Sequence, residues 1–390
     1  MKKIILIALI FSCFTCFAQD FNEYKRKQDS IMRAMKNQQD EGMARMQKEY
    51  ENYVKKEQEA FNNFVKEREK KWGKGNVKES TQKDWVEYSD DGDTRSTVDF
   101  ESGEATIEII QEPGQKVDEK ELEDKLRFLL TNKGKTKDYD SEVEKAIPLQ
   151  DKPVLEDQVQ TPSGEIVTEE NMDEAVKEIV ENTKPEVKTV KGEDNVERQV
   201  VTIKLDLAPD HIRTRAEQYK QQIQKYCDKW DVDPALAYAI MQTESSFNPK
   251  AKSPVPAYGL MQIVPRTAGA DCAQSLKKPF SAPTGNYLYE PENNIEMGVH
   301  YLYLLKKRYY TNVNSVDKQN LCVIASYNTG AGNVARALRG DTKIGKAIPQ
   351  INEMSYNQLF KHFEKNLMPE TQNYIRKVTE RMNNFKTWLK

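Results

Sequence analysis

Histidine and cysteine are both scarce in this chain of 390 residues, with three of the first and five of the second. His211, His300 and His362 stand far apart, and the cysteines follow no zinc spacing, so no metal site and no cofactor is expected. Long apolar runs are missing as well. The one candidate, Ile4 through Phe14 behind Met1-Lys2-Lys3, is too short for an ordinary transmembrane helix and reads as an export signal. Motifs that recognise nucleic-acid bases are also missing, and an exported chain has little access to nucleic acid.

The leader, residues 1–18, has two readings. Cleavage after Ala18 leaves Gln19 first and is the favoured one. The alternative treats Ile10-Phe11-Ser12-Cys13 as a loose lipoprotein box, with Cys13 lipidated and holding the chain to a membrane; Phe at its second position is poor for that. Cys227, Cys272 and Cys322 remain after either cleavage. They form one disulfide or serve as three buried small apolar residues, and both options stay open.

Charged residues make up 31% of the chain and hydrophobic ones 37%, so parts of it are strongly solvated. The net charge of −3 hides an asymmetry. Residues 76–206 carry 18 Lys and Arg against 35 Asp and Glu, a net of −17. Residues 207–390 carry 25 against 16, a net of +9. A basic C-terminal module suits an anionic polymer as substrate or partner.

The length calls for two or more domains. Residues 19–75 read as one long charged helix, with apolar residues near a 3.5 spacing from Met43 to Trp72 and Glu57 on the seam. A coiled coil that self-associates through 21–72, a spacer and a single charged helix all fit. A polar linker over 73–83 leads into a small acidic α+β domain, 80–207. There a hairpin is predicted across Glu101-Ser102-Gly103, helices over 118–130 and 169–180, a second hairpin turning at Pro162-Ser163-Gly164, and a strand over 199–207. From residue 208 to 390 the pattern is helical. The fold class is therefore α+β and multidomain, with a long N-terminal helix, a small α+β accessory domain and an all-α C-terminal domain.

Within that last domain Glu244 stands out. Asp233-Pro234 is a good helix start. Leu236, Ile240 and Glu244 then fall four apart on one face, which is apolar until it reaches the glutamate. Phe247 follows, and Asn248-Pro249 closes the helix. A carboxyl among apolar neighbours is desolvated, which favours its neutral form and suits a general acid. Ser246 reads as a structural cap, because no histidine lies near in sequence to activate it.

Glu244-Ser245-Ser246-Phe247-Asn248-Pro249 is followed in order by Ala257-Tyr258-Gly259-Leu260-Met261-Gln262-Ile263-Val264-Pro265, Asn293-Asn294-Ile295 with Gly298, Ala325-Ser326-Tyr327-Asn328-Thr329-Gly330-Ala331-Gly332 and Glu370-Thr371-Gln372-Asn373-Tyr374-Ile375. This ordered set resembles the lysozyme-like, soluble-type lytic transglycosylase domain that cleaves peptidoglycan. Upstream, Trp85-Val86-Glu87-Tyr88, Thr94-Arg95-Ser96 and Val98-Asp99-Phe100 are similar to the accessory domain of the murein transglycosylase C family, typically outer-membrane lipoproteins.

The resemblance implies peptidoglycan glycan strands as partner, a periplasmic location and Glu244 as the acid. Glycosidases ordinarily use two carboxylates. No second acid sits in the motifs near Glu244, and the next, Asp271, is well downstream. That fits a lytic route to a 1,6-anhydro product, although the hydrolytic goose-type lysozymes resemble the same domain. Ser253, Gln262, Glu370 and Tyr374 match cleft positions. Gly259 would clear room for the glycan or serve a turn. Ser253 and Gln262 would hydrogen-bond an acetamido sugar. Met261 would pack beneath it or in the core. Tyr327 would bond Glu244 or substrate, and Asn328 would bind sugar or brace its turn. A non-catalytic wall-binding scaffold is the alternative from another class.

Overall fold

The computed structural model describes residues 47–390, together with 42, 44 and 45. The leader, Cys13 and the first part of the long helix lie outside the described residues. The chain divides into two compact units, residues 1–55 and 56–390. In the first, residues 47–55 are helical.

The second unit opens with a helix, α1, over residues 56–72. Five strands follow in one antiparallel sheet: β1 (Asp84–Tyr88), β2 (Thr94–Asp99), β3 (Glu104–Gln111), β4 (Glu186–Lys191) and β5 (Glu197–Asp206), in the order β1-β2-β3-β5-β4. The register sets Trp85 opposite Val98, Ser96 opposite Ile107, and Ile107 opposite Ile203. Side chains alternate between faces at period two, and both faces are used. Trp85, Val98, Ile107, Ile109, Ile203 and Leu205 lie under α2 (Glu119–Thr131) and α3 (Met172–Asn182), which contribute Leu126, Leu129, Val176 and Ile179. Val86, Tyr88, Ile110 and Val200 face the other way, onto Trp72 and Phe64 of α1.

That second face corrects the reading of residues 56–72 as a free spacer or coiled-coil strand. Phe64 meets Tyr88 at 5.5 Å between ring centroids, Phe61 meets Tyr139 at 5.8 Å, and the Trp72 indole donates to Gly92 O at 2.9 Å. The apolar positions of this segment pack on the chain's own domain. β4 was not expected, because five of its six residues are exposed and carry no core pattern. Lysines at 188 and 191 suit it to a sheet edge. The second predicted hairpin is reduced to a turn and one bridge, between Gln160 and Ile166.

The C-terminal helices are α4 (His211–Gln218), α5 (Lys220–Trp230), α6 (Pro234–Ser245), α7 (Ala270–Ser275), α8 (Gly285–Tyr289), α9 (Pro291–Tyr309), α10 (Val316–Thr329), α11 (Ala331–Arg339), α12 (Ile344–Glu353), α13 (Tyr356–Asn366) and α14 (Pro369–Trp388), with a π-helical turn at Pro265–Gly269. The helical pattern that begins at residue 208 is interrupted at Tyr219, whose φ of −101° and ψ of 7° leave the helical region. α12 was not expected, since Pro349 sits inside it. At its centre α6 is buried all round from Ala235 to Met241, so it is a core helix rather than an amphipathic one. It packs on α14, where Tyr238 stacks on Phe385 at 5.0 Å. Cys227, Cys272 and Cys322 are all buried and unpaired, so the disulfide does not form. Among the described residues no helix is long and apolar enough to cross a membrane.

Candidate active site

α6 delivers Glu244 one residue before its end. Asp233 accepts from Ala235 N at 2.9 Å at the other end, with Pro234 in the first turn. The helix stops because Ser246 takes a left-handed conformation, φ 49°, and Phe247 follows at φ 63°. Ser246 is thus the C-cap residue; its N–H donates to Gln242 O at 3.0 Å.

Tyr374, on the second turn of α14, donates its hydroxyl to Glu244 Oε1 at 2.6 Å. Burial raises the Glu244 carboxyl to about 7; the Tyr374 hydrogen bond and the Lys83 ammonium act against that, and the Glu370 carboxylate adds to it. Near pH 7 the group therefore exists in both protonation states, so it is able to give a proton and to take one. Burial holds the Tyr374 and Tyr327 hydroxyls well above their ordinary range, so both stay protonated.

Of the other expected residues, Met261 and Gly259 take one of the two alternatives the sequence left open, and several others depart from it. Tyr327 bonds not to Glu244 but to Met261 O, at 2.7 Å. Met261 is in the core, its amide held by Asn294 Oδ1 at 2.8 Å. Gly259 has φ 73°, and a Cβ there would come within 2.3 Å of both Asn294 Nδ2 and Leu288 O, so packing and the turn account for it. The Gln262 amide nitrogen donates to Gly259 O at 3.0 Å and Ala251 O at 3.1 Å, inside the protein. Ser253 turns its hydroxyl to Val255 O and accepts from Ala257 N at 3.1 Å, within its own loop. Asn328 braces α14 rather than its own turn, accepting from Thr371 Oγ1 at 2.7 Å. Glu370 is exposed in the first turn of α14. Asp271 pairs with Arg308 at 3.1 Å and is not among the groups that shift Glu244.

Sequence reasoning gave no role to four cations that tie this site to the sheet domain. Arg215, buried, donates to Ser246 O at 3.1 Å and to Phe100 O at 2.9 Å. Lys250, also buried, reaches Val86 O at 3.0 Å and Asp138 Oδ2 at 3.1 Å. Arg381 donates to Thr243 Oγ1 at 3.1 Å, and Lys83 to Thr243 O at 2.8 Å. Lys83, Lys250 and Arg381 fall in no motif, and the resemblance that takes in His211 to Arg215 assigns Arg215 no contact.

The Transglycosylase SLT domain family matches residues 221–348, and the N-terminal domain family of membrane-bound lytic murein transglycosylase C matches residues 44–218. Membrane-bound lytic murein transglycosylase C of Haemophilus influenzae (strain PittEE) is 30% identical over 316 residues, 81% of this chain and 85% of that protein. The protein of that name from Sodalis glossinidius is 32% identical over 321 residues, 82% and 87%. The 70 kDa soluble lytic transglycosylase of Escherichia coli overlays at a TM-score of 0.36 with 24% identity, over 46% of this chain and about a quarter of that one, 26%. With both halves matched in order and most of each curated relative covered, the chain belongs to the membrane-bound lytic murein transglycosylase C family.

Proposed function

We propose that the chain cleaves the β-1,4 bond between N-acetylmuramic acid and N-acetylglucosamine in peptidoglycan, leaving a 1,6-anhydro-muramyl end, with Glu244 as both acid and base. The observation that carries this reading is the pairing of one desolvated carboxyl, raised to about 7, with a single fixed donor, Tyr374. In the first step Glu244 gives its proton to the glycosidic oxygen as the C1–O bond breaks, and the substrate's own acetamido oxygen supports C1. In the second step the Glu244 carboxylate takes the proton of the 6-hydroxyl, O6 bonds to C1, and the carboxyl is restored. No water is consumed. The surplus of cations in residues 207–390 favours encounter with a polymer rich in lactyl and peptide carboxylates.

Hydrolysis is the competing outcome and needs a base for water. The carboxylate whose charge reaches Glu244 is that of Glu370, so Glu370 is the residue to test for that role. Digestion of murein sacculi followed by mass spectrometry of the muropeptides separates the routes. Anhydro ends, one water lighter, are expected; reducing muramyl ends sink the lytic reading. Binding to sacculi without product release would instead support a scaffold. The leader of residues 1–18 would take the chain to the periplasm. Cleavage after Ala18 would release it there, and lipidation of Cys13 would hold it at the outer membrane.

A further inference from the structure

The last turn of α6 is closed by a residue from the sheet domain. Lys83 stands directly before β1, and its carbonyl accepts from Phe100 N at 3.0 Å, so the paired strands fix its backbone. Its ammonium donates to Thr243 O at 2.8 Å and Gln242 O at 3.0 Å. The final carbonyls of a helix carry the negative end of its dipole, and Gln242 O accepts from the Ser246 cap N–H as well as from Lys83. A carboxylate at that end is disfavoured, and a cation there offsets the penalty. Glu244 is such a carboxylate.

The groups around this point come from several elements. α14 supplies Tyr374, Glu370, Lys377 and Arg381, α10 supplies Tyr327, and the β2–β3 turn supplies Glu101. Arg381 binds Thr243 Oγ1 at 3.1 Å and Glu101 at 3.3 Å, so its charge is partly matched, whereas the Lys83 ammonium donates to the two carbonyls of the helix end. Beyond the helix, two consecutive non-glycine residues in left-handed conformations are costly and persist only where surroundings hold them. Here the sheet domain contributes to that hold: Asn248 Nδ2 donates to Asp84 O at 3.1 Å, and Arg215 joins Ser246 O to Phe100 O.

We propose that Lys83 of the accessory domain is a positioning residue: its ammonium caps the helix that carries Glu244 and favours the ionised Glu244 that the second chemical step requires. This rests on the acid–base reading given above. Lys83 touches no reacting atom; it acts through α6 and through its charge.

The test uses the full chain and its Lys83→Met, Lys83→Gln and Lys83→Arg variants. Release of anhydro ends from soluble glycan strands is followed between pH 4 and 9, with thermal midpoints measured alongside. Glutamine keeps a donor for the carbonyls without the charge, and so carries the test if methionine prevents folding. In the methionine and glutamine variants kcat is expected to fall about tenfold with KM within about twofold. The basic limb, where Glu244 loses its proton, is expected to move up by about one pH unit. Arginine should keep the limb in place and restore most of the rate. An unmoved limb in both neutral variants, whether or not the rate falls, overturns the proposal and leaves Lys83 a structural contact. Absence of anhydro ends from the wild type is a different result and overturns the lytic reading itself.

Discussion

Tyr374 Oη lies 2.6 Å from Glu244 Oε1 and donates to it across 130 residues of sequence. The hydrogen bond draws the carboxyl down while burial pushes it up, so its protonation is set by opposed effects. Tyr327, whose hydroxyl was expected on Glu244 or on substrate, donates to the backbone at Met261.

Tyr374→Phe should reduce the rate of anhydro-end release by about 10- to 100-fold, the range for a hydrogen bond to a charged group of about 1.5–3 kcal/mol. The ring remains, so the thermal midpoint should hardly move. Because the lost bond lowers the Glu244 pKa, the basic limb of the pH profile should shift upward. A variant with wild-type rate and profile would remove Tyr374 from the machinery.

Glu244 also makes stability depend on pH. Its folded value of about 7 lies above the ordinary 4.5, so the folded chain binds the extra proton between those values. Stability from this group is therefore full below about pH 4.5 and lost as pH rises to about 7. The loss is on the order of 3 kcal/mol. Urea unfolding of Glu244→Gln against wild type should show little difference at pH 5 and a more stable variant at pH 8, without activity. Equal stability of the two at both pH values would show that the carboxyl is not desolvated.

Gly259→Ala should destabilise the fold by about 2 kcal/mol or more, since the position combines φ 73° with backbone and Asn294 atoms 2.3 Å from any added Cβ. The measurement is the unfolding midpoint together with KM for glycan strands. If the glycine serves only to admit the substrate, KM rises while the midpoint stays, contrary to this expectation.

Lys250→Met should cost about 3–5 kcal/mol, because it leaves the Glu87 and Asp138 carboxyls facing each other without their cation in a buried setting. Burial already raises Glu87, and removing the cation that lowers it should raise it further. Adding Asp138→Asn should recover part of the loss in a double-mutant cycle. Strict additivity of the two changes would show that the residues do not interact.

The local signals were legible. Asp233-Pro234 set the start of α6, the turn at residues 101–103 set the β2–β3 hairpin, and the ordered motifs identified the lytic transglycosylase domain and picked out Glu244. These follow from capping, turn chemistry and apolar spacing, which act over a few residues. Other features depended on contacts between segments far apart. They include the choice of Tyr374 over Tyr327 as partner of the acid, the docking of α1 on the second face of the sheet, the unpaired cysteines, and the reach of Lys83 and Arg215 from or to the accessory domain. A lysine in a polar linker looks the same whether it meets water or a helix end. Only the packing of the two domains places its ammonium on Thr243 and Gln242, beside the carboxyl whose charge it helps to set.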